Sequence, residues 1–86
     1  LDTEAWILHK LQRDVEALEV MERAIFHATD ARYQSAEGRS EMLYHYGVIL
    51  ASTGAGEQAR EILRACAARG PELPYGARCQ SALTRL

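Results

Sequence analysis

One pattern of small and apolar residues occurs twice along this chain of 86 residues. In each copy 16 residues separate the first apolar residue from an alanine, from Leu1 to Ala17 and from Leu43 to Ala59. The second copy is Leu43, Tyr46, Gly47, Leu50, Ala59, Leu63 and Pro71, and the first is Leu1, Ala5, Leu8, Ala17, Met21 and Ala24. Steps of three and four residues place side chains on one face of a helix. We therefore predict an all-α chain.

The second copy resembles the tetratricopeptide repeat (TPR), whose pattern is W-x2-L-G-x2-Y…A-x3-F…P. Gly47, Ala59 and Pro71 stand at the family spacing, and other apolar residues occupy the places of the large ones. The resemblance implies that Gly47 and Ala59 lie where neighbouring helices pack too closely for a larger side chain. It also implies an α-α superhelix of two TPR-like helical hairpins plus a C-terminal capping helix, a fold whose usual work is to hold other proteins.

The first copy departs from the family pattern at three positions. Glu4 stands at an expected core position, Ala5 replaces the glycine, and Thr29 replaces the proline. The two pattern alanines are 42 residues apart, eight more than the family repeat of about 34. The stretches 1–24 and 44–63 are also similar to bacterial repeat proteins of the exopolysaccharide and protein-sorting lipoprotein type. This likeness implies the C-terminal segment of a bacterial TPR array.

We expect a single domain in three parts. A first hairpin with a long second helix covers 1–37, a second hairpin covers 40–70, and a capping helix covers 74–86. The eight extra residues predict an overlong helix end plus a loop over 26–39, and a flexible insertion is the alternative. The residues predicted to cap or begin the five helices are Asp2 or Thr3, Asp14, Ser40, Gly56 and Pro74. Gly54 is predicted to end the third helix, and Gly70 with Pro71 the fourth.

Charge and length exclude two classes of partner. A net charge of −2, with no cluster of basic residues, gives no electrostatic footprint for nucleic acid. No apolar run approaches the roughly 20 residues that would insert across a membrane. The chain opens at Leu1 without Met or a basic leader, so we expect a segment of a longer protein, with any targeting signal outside it.

Two cysteines are too few for a disulfide framework. If 57–69 and 74–85 form an antiparallel helix pair, Cys66 and Cys79 both lie about two turns from the connecting loop and could bond. However, Cys66 stands where the repeat usually has a packed alanine, which favours two small buried thiols. The sequence therefore favours free cysteines over a disulfide.

The first helix of each hairpin lines a concave groove in this family. The groove residues that the resemblance implies here are Trp6, His9, Lys10, Glu41, Tyr44, His45, Val48 and Ser52. Aromatic, imidazole and charged groups on one wall suit the capture of a peptide or partner protein. For Trp6 the alternative is packing against an upstream helix, and for Tyr44 it is packing along the next helix.

The sequence does not contain the residue patterns of a carboxylate clamp, a metal site or a catalytic site. The lysine and asparagine clamp of some family members is absent, because the matching positions hold Asp2, His9 and His45 and the chain has no asparagine. No cysteine or histidine group has zinc spacing, and nothing places a base and an acid beside Cys66. We therefore expect no metal, no cofactor and no catalysis.

The sequence thus predicts a non-enzymatic scaffold that binds a peptide or partner protein in its groove. The alternative is a structural spacer or dimerisation segment with no ligand, and an accessory domain of an enzyme is a third class. Two hairpins are fewer than the roughly three repeats that such arrays usually need. We therefore predict a homo-oligomer that forms through the N-terminal hairpin, where Trp6, Ile7 and Leu11 would lack a covering helix.

Overall fold

A computed structural model describes residues 2–26, 36–68 and 73–86 of the chain. Over these residues it forms five helices and no strand, which confirms the all-α class. The helices are α1 (Asp2–Lys10), α2 (Asp14–Phe26), α3 (Ala36–Ser52), α4 (Gly56–Ala68) and α5 (Pro74–Leu83). The predictions for Leu1, for a helix continuing past Phe26, and for Thr29 and Pro71 concern positions outside the described residues.

Several helix ends follow the predicted residues. Gly54 has a φ of +90° in the turn after α3, a conformation that glycine adopts without strain. Pro74 lies in the first turn of α5, where its missing N–H has no helical partner to lose. Between α1 and α2, Gln12 has a φ of +60° and no such freedom, so this turn carries local backbone strain.

The predicted starts of α2 and α3 are wrong in detail. The first backbone bond of α2 runs from the Ala17 N–H to the Arg13 carbonyl, so Arg13 precedes the helix and Asp14 is already its first residue. Helix α3 begins at Ala36 rather than after Ser40, so 36–39 is helix and not loop, and the rest of the predicted loop, 27–35, lies outside the described residues. Ser40 is fully buried inside the helix, and its hydroxyl has no hydrogen-bond partner among the described residues.

The central helix α3 contacts all four other helices. It therefore contributes side chains to two apolar clusters. The first is buried around Ala5, Ala17, Met21 and Ile49, and Met42 and Tyr46 pack against it. The second is buried around Leu63, Cys66 and Cys79, and Leu43 and Tyr44 pack against it. Glu4 is exposed and lies outside both clusters.

Contacts along the helices fix their relative directions. Gly47 approaches Leu63, and the Ser40 carbonyl lies 3.4 Å from Cys66 Sγ, so α3 and α4 are antiparallel. The Tyr75 hydroxyl meets Glu41, whereas Leu86 lines one groove with Ser52. Helices α3 and α5 therefore run parallel.

A hydrogen-bonded tyrosine connects three helices on the side away from α5. The Tyr46 hydroxyl donates to Glu22 of α2 at 3.3 Å and accepts a hydrogen bond from Gln58 of α4 at 3.3 Å. Burial raises the pKa of the Tyr46 phenol, and the negative charge of Glu22 and the hydrogen bond to it add to this effect. The hydrogen bond from Gln58 opposes it. The phenol therefore keeps its proton throughout the neutral range and can donate to Glu22.

Cys66 and Cys79 form a disulfide that joins α4 to α5. The expectation of two free thiols is wrong, although both residues are fully buried as predicted. The antiparallel pairing of the two helices places the Cα atoms 6.0 Å apart, a separation that disulfides commonly span. The bond holds α5 against the rest of the chain.

Candidate functional site

Aromatic side chains from α1, α3 and α5 meet on one side of the molecule. We call this group the aromatic cluster, and its members are Trp6, His9, Tyr44, His45 and Tyr75. Each of the three helices contributes at least one ring, because α3 lies in contact with both α1 and α5. The rings of α1, α3 and α5 lie far apart along the chain, and the packing of the three helices brings them together.

His45 occupies the centre of the aromatic cluster. Its ring stacks on Trp6 with a centroid separation of 4.3 Å and an interplanar angle of 23°. Its edge meets Tyr75 at 5.9 Å and 82°. Only 6% of His45 is exposed, so this imidazole supports the neighbouring rings from below rather than facing a ligand. Such ring pairs stabilise by about 0.5–1.5 kcal/mol beyond the area they bury.

Tyr44 forms the middle of the outer row of rings. It lies 5.8 Å from Trp6 and 5.7 Å from Tyr75, and it is tilted by 47° and 50° to the two rings. All three rings are partly exposed. Trp6 thus packs on Tyr44 and His45 of α3. Tyr44 packs on Tyr75 of α5 and against the second apolar cluster, and it still presents part of its ring to solvent.

His9 is fixed at one end of the aromatic cluster by a carboxylate. Its ring lies 4.9 Å from Trp6, and its Nδ1 lies 2.7 Å from Asp14 Oδ1. Asp14 therefore orients the imidazole across the α1–α2 turn. This contact explains the acidic residue at the start of α2 better than the predicted capping role does.

Two cations lie against the outer rings. Lys10 Nζ is 5.1 Å from the Trp6 ring centroid, and Arg78 Cζ is 4.9 Å from that of Tyr75. Both distances are within the roughly 6 Å over which a cation is attracted to a ring face. Glu41 accepts a 3.3 Å hydrogen bond from the Tyr75 hydroxyl. The site therefore combines aromatic faces with charged groups of both signs.

Two of the predicted site residues lie elsewhere. Val48 and Ser52 line a separate, mostly apolar groove of about 240 Å³ with Leu63 of α4, Ala82 of α5 and the C-terminal Leu86. The groove lies towards the C-terminal ends of α3 and α5, whereas the aromatic cluster lies nearer their N-terminal ends. The structure thus brings six of the eight predicted residues together and separates these two.

The sequence prediction missed Tyr75 and Arg78 because α5 was predicted only as a capping helix. A signal for them existed. An aromatic and a cationic residue three positions apart share a helix face, and Trp6, His9 and Lys10 show nearly the same arrangement on α1.

The rings and the charges of the aromatic cluster can both contact a ligand. Partly exposed rings offer an apolar contact surface, and the flanking charges can orient a polar ligand. Within the described residues, no three His, Cys, Asp or Glu side chains are placed to hold a metal ion. In the same part of the chain, no helix has the length and hydropathy to cross a membrane.

Comparison with family models, with curated proteins and with solved structures gives no match to this chain.

Proposed function

We propose that this chain is a TPR-type interaction module, and that it binds an extended peptide or peptide-like segment of a partner protein over the aromatic cluster. The observation that carries the proposal is the convergence of partly exposed rings from three separate helices. A buried histidine and a disulfide hold these rings in place.

Fixed rings are efficient anchors for a ligand. Aromatic side chains that are already packed lose little conformational entropy on binding, so more of the contact energy remains as affinity. Trp6, Tyr44 and Tyr75 belong to the residue types that most often dominate the energy of protein interfaces. The close approach of Gly47 to Leu63 and the full burial of Ala59 support the proposed TPR-type packing of the helices that carry the aromatic cluster.

Peptide selection followed by titration tests the proposed function. The chain is immobilised, peptides are selected from a random displayed library, and an enriched peptide is titrated while the fluorescence of Trp6, the only tryptophan, is followed. We expect saturable binding, and we expect Tyr44→Ala to weaken it at least about tenfold, as for a central interface aromatic residue.

Tyr46→Ala is the matched control. Tyr46 is also a half-buried tyrosine of α3, but its hydroxyl is directed to Glu22 and Gln58, away from the aromatic cluster. The two variants lose similar packing, and circular dichroism measures the helicity of each. If the peptide affinity of Tyr46→Ala changes by less than about twofold, the result supports binding of the peptide over the aromatic cluster. Equal loss in both variants, or failure to enrich any peptide, would contradict it.

Self-association is a second candidate, favoured by one group of exposed side chains. Ile7, Leu11 and Val15 are 55%, 62% and 74% exposed around the α1–α2 turn. Formation of a dimer would remove their apolar surfaces from contact with water. We expect sedimentation velocity to show an average mass that rises with concentration, and Leu11→Glu to suppress the rise. A monomer at every concentration would exclude this candidate and leave the peptide proposal intact.

A further inference from the structure

We propose that the preferred ligand is an acidic peptide, in which two carboxylates flank a short proline- and aromatic-containing core. This inference rests on the proposed function and specifies the chemistry of its ligand. It is carried by the two cations at the ends of the aromatic cluster, Lys10 and Arg78.

Both cations are exposed and lie against rings. Lys10 is held over Trp6 and Arg78 over Tyr75, and neither forms an ion pair with any carboxylate of the described residues. The ring contact restrains each side chain while its charged end stays in water. A restrained cation loses less side-chain entropy when it pairs with an incoming anion. The two positions are therefore prepared for carboxylates that the described residues do not supply.

The nearby carboxylates are engaged differently. Asp14 is paired with His9 at 2.7 Å, and Glu41 accepts the hydrogen bond of Tyr75 at 3.3 Å. Both acidic side chains are also partly buried, whereas Lys10 and Arg78 are exposed. A ligand that arrives from solvent thus meets the two cations before it meets the two anions.

The separation of the cations limits the length of the ligand. The path from Lys10 through Trp6, His45 and Tyr75 to Arg78 has four steps of between 4.3 and 5.9 Å. The cations are therefore at most about 20 Å apart, which an extended chain of about six residues spans. Two acidic residues at the ends of such a segment reach both cations at once.

The rings between the cations define the core of the ligand. Tyr44 lies tilted by 47° to Trp6 and by 50° to Tyr75, so the three partly exposed rings present surfaces at different angles to a ligand. Proline is restricted before binding and docks readily on aromatic-lined surfaces. An aromatic residue beside it adds ring contacts with Tyr44.

Three synthetic hexapeptides test the charge preference. Each has a Gly-Pro-Tyr-Gly core and blocked termini, with Glu, Gln or Lys at both ends, and affinity is measured by fluorescence anisotropy of a labelled peptide. We expect the Glu-ended peptide to bind roughly tenfold more tightly than the Gln-ended one, since each exposed ion pair contributes a few-fold. The Lys-ended peptide is expected to bind most weakly, and added salt to reduce the difference.

A charge exchange provides the control. The double variant Lys10→Met/Arg78→Met keeps an unbranched side chain against each ring and should bind all three peptides alike. The double variant Lys10→Glu/Arg78→Glu should reverse the order and prefer the Lys-ended peptide. A gain of binding in this variant cannot result from misfolding, so the result does not depend on loss of function alone.

The outcomes separate the two proposals. If Gln- and Glu-ended peptides bind equally well and both lose affinity in Tyr44→Ala, the acidic preference is wrong and the peptide-binding proposal stands. If none of the three peptides binds, the acidic-peptide inference is overturned, and peptide selection decides the proposed function independently. Tighter binding of an oligothymidylate than of the Glu-ended peptide would also overturn it, because rings flanked by cations can hold single-stranded nucleic acid as well.

Discussion

Reduction of the Cys66–Cys79 disulfide is expected to lower the free energy of unfolding by about 3 kcal/mol. The bond closes a loop with a sequence separation of 13 residues, and its loss returns conformational freedom to the unfolded chain. A chain of this size should have a total stability of only about 4–13 kcal/mol, so the change is a large fraction. Urea unfolding with and without a dithiol reductant, followed by circular dichroism, measures it.

The Cys66→Ala/Cys79→Ala variant is the matched control for reduction. It lacks the bond under all conditions, so its stability should not respond to the reductant and should lie near that of the reduced protein. Mass spectrometry after thiol labelling counts the free cysteines before each experiment. An oxidised protein with no labelled thiol and the same urea midpoint as the reduced protein would show that the bond does not stabilise the fold.

Substitution of Gly47 by alanine is expected to destabilise the fold by about 1–3 kcal/mol. A Cβ atom at this position would lie 2.5 Å from Leu63 Cδ2 and 2.6 Å from Leu63 Cγ. Alanine is a better helix former than glycine by about 1 kcal/mol, which acts in the opposite direction. The clash should outweigh this gain because Cγ is the branch point of a side chain that is only 1% exposed and cannot turn away.

Gly56→Ala supplies the control for helix propensity. A Cβ atom at Gly56 would meet nothing within 4 Å, so this variant should have unchanged or slightly higher stability. Leu63→Ala alone should lose about 2–5 kcal/mol through the cavity it leaves. Combined with Gly47→Ala it should lose less than the sum, since the new methyl group enters that space. Additive losses in the double variant would refute a direct Gly47–Leu63 clash.

The helical hairpins were predictable because their signals are local. Gly54 and Pro74 end and begin helices through their own backbone properties, and the Gly47–Leu63 approach follows from the repeat spacing. The start of α3 was not predictable in this way. Ser40 suggested the start of a helix, and Gly38 precedes it, but one glycine within a helix costs only about 1 kcal/mol. The packing of α3 against four helices outweighs that cost.

The candidate site was only partly predictable because it depends on where α5 lies. The α1 and α3 residues share the pattern that defines the hairpins, so their common face could be inferred. The contacts of Tyr75 with Tyr44, His45 and Glu41 depend on the direction of α5, which the disulfide helps to fix. The repeat pattern predicted an alanine-like residue at Cys66, and it contained no information about the cysteine opposite.

The position of α3 in both apolar clusters also determines how the chain loses its structure. As in a linear stack of repeats, the described helices α1 and α2 pack on α3 but not on α4 or α5, so one end can open while the other stays folded. Here Ile49 belongs to one cluster while Leu43 packs against the other, so both clusters depend on the same helix. Partial opening is therefore confined to the outer helices, and separation of α3 from its neighbours amounts to cooperative unfolding of the described helices as one unit.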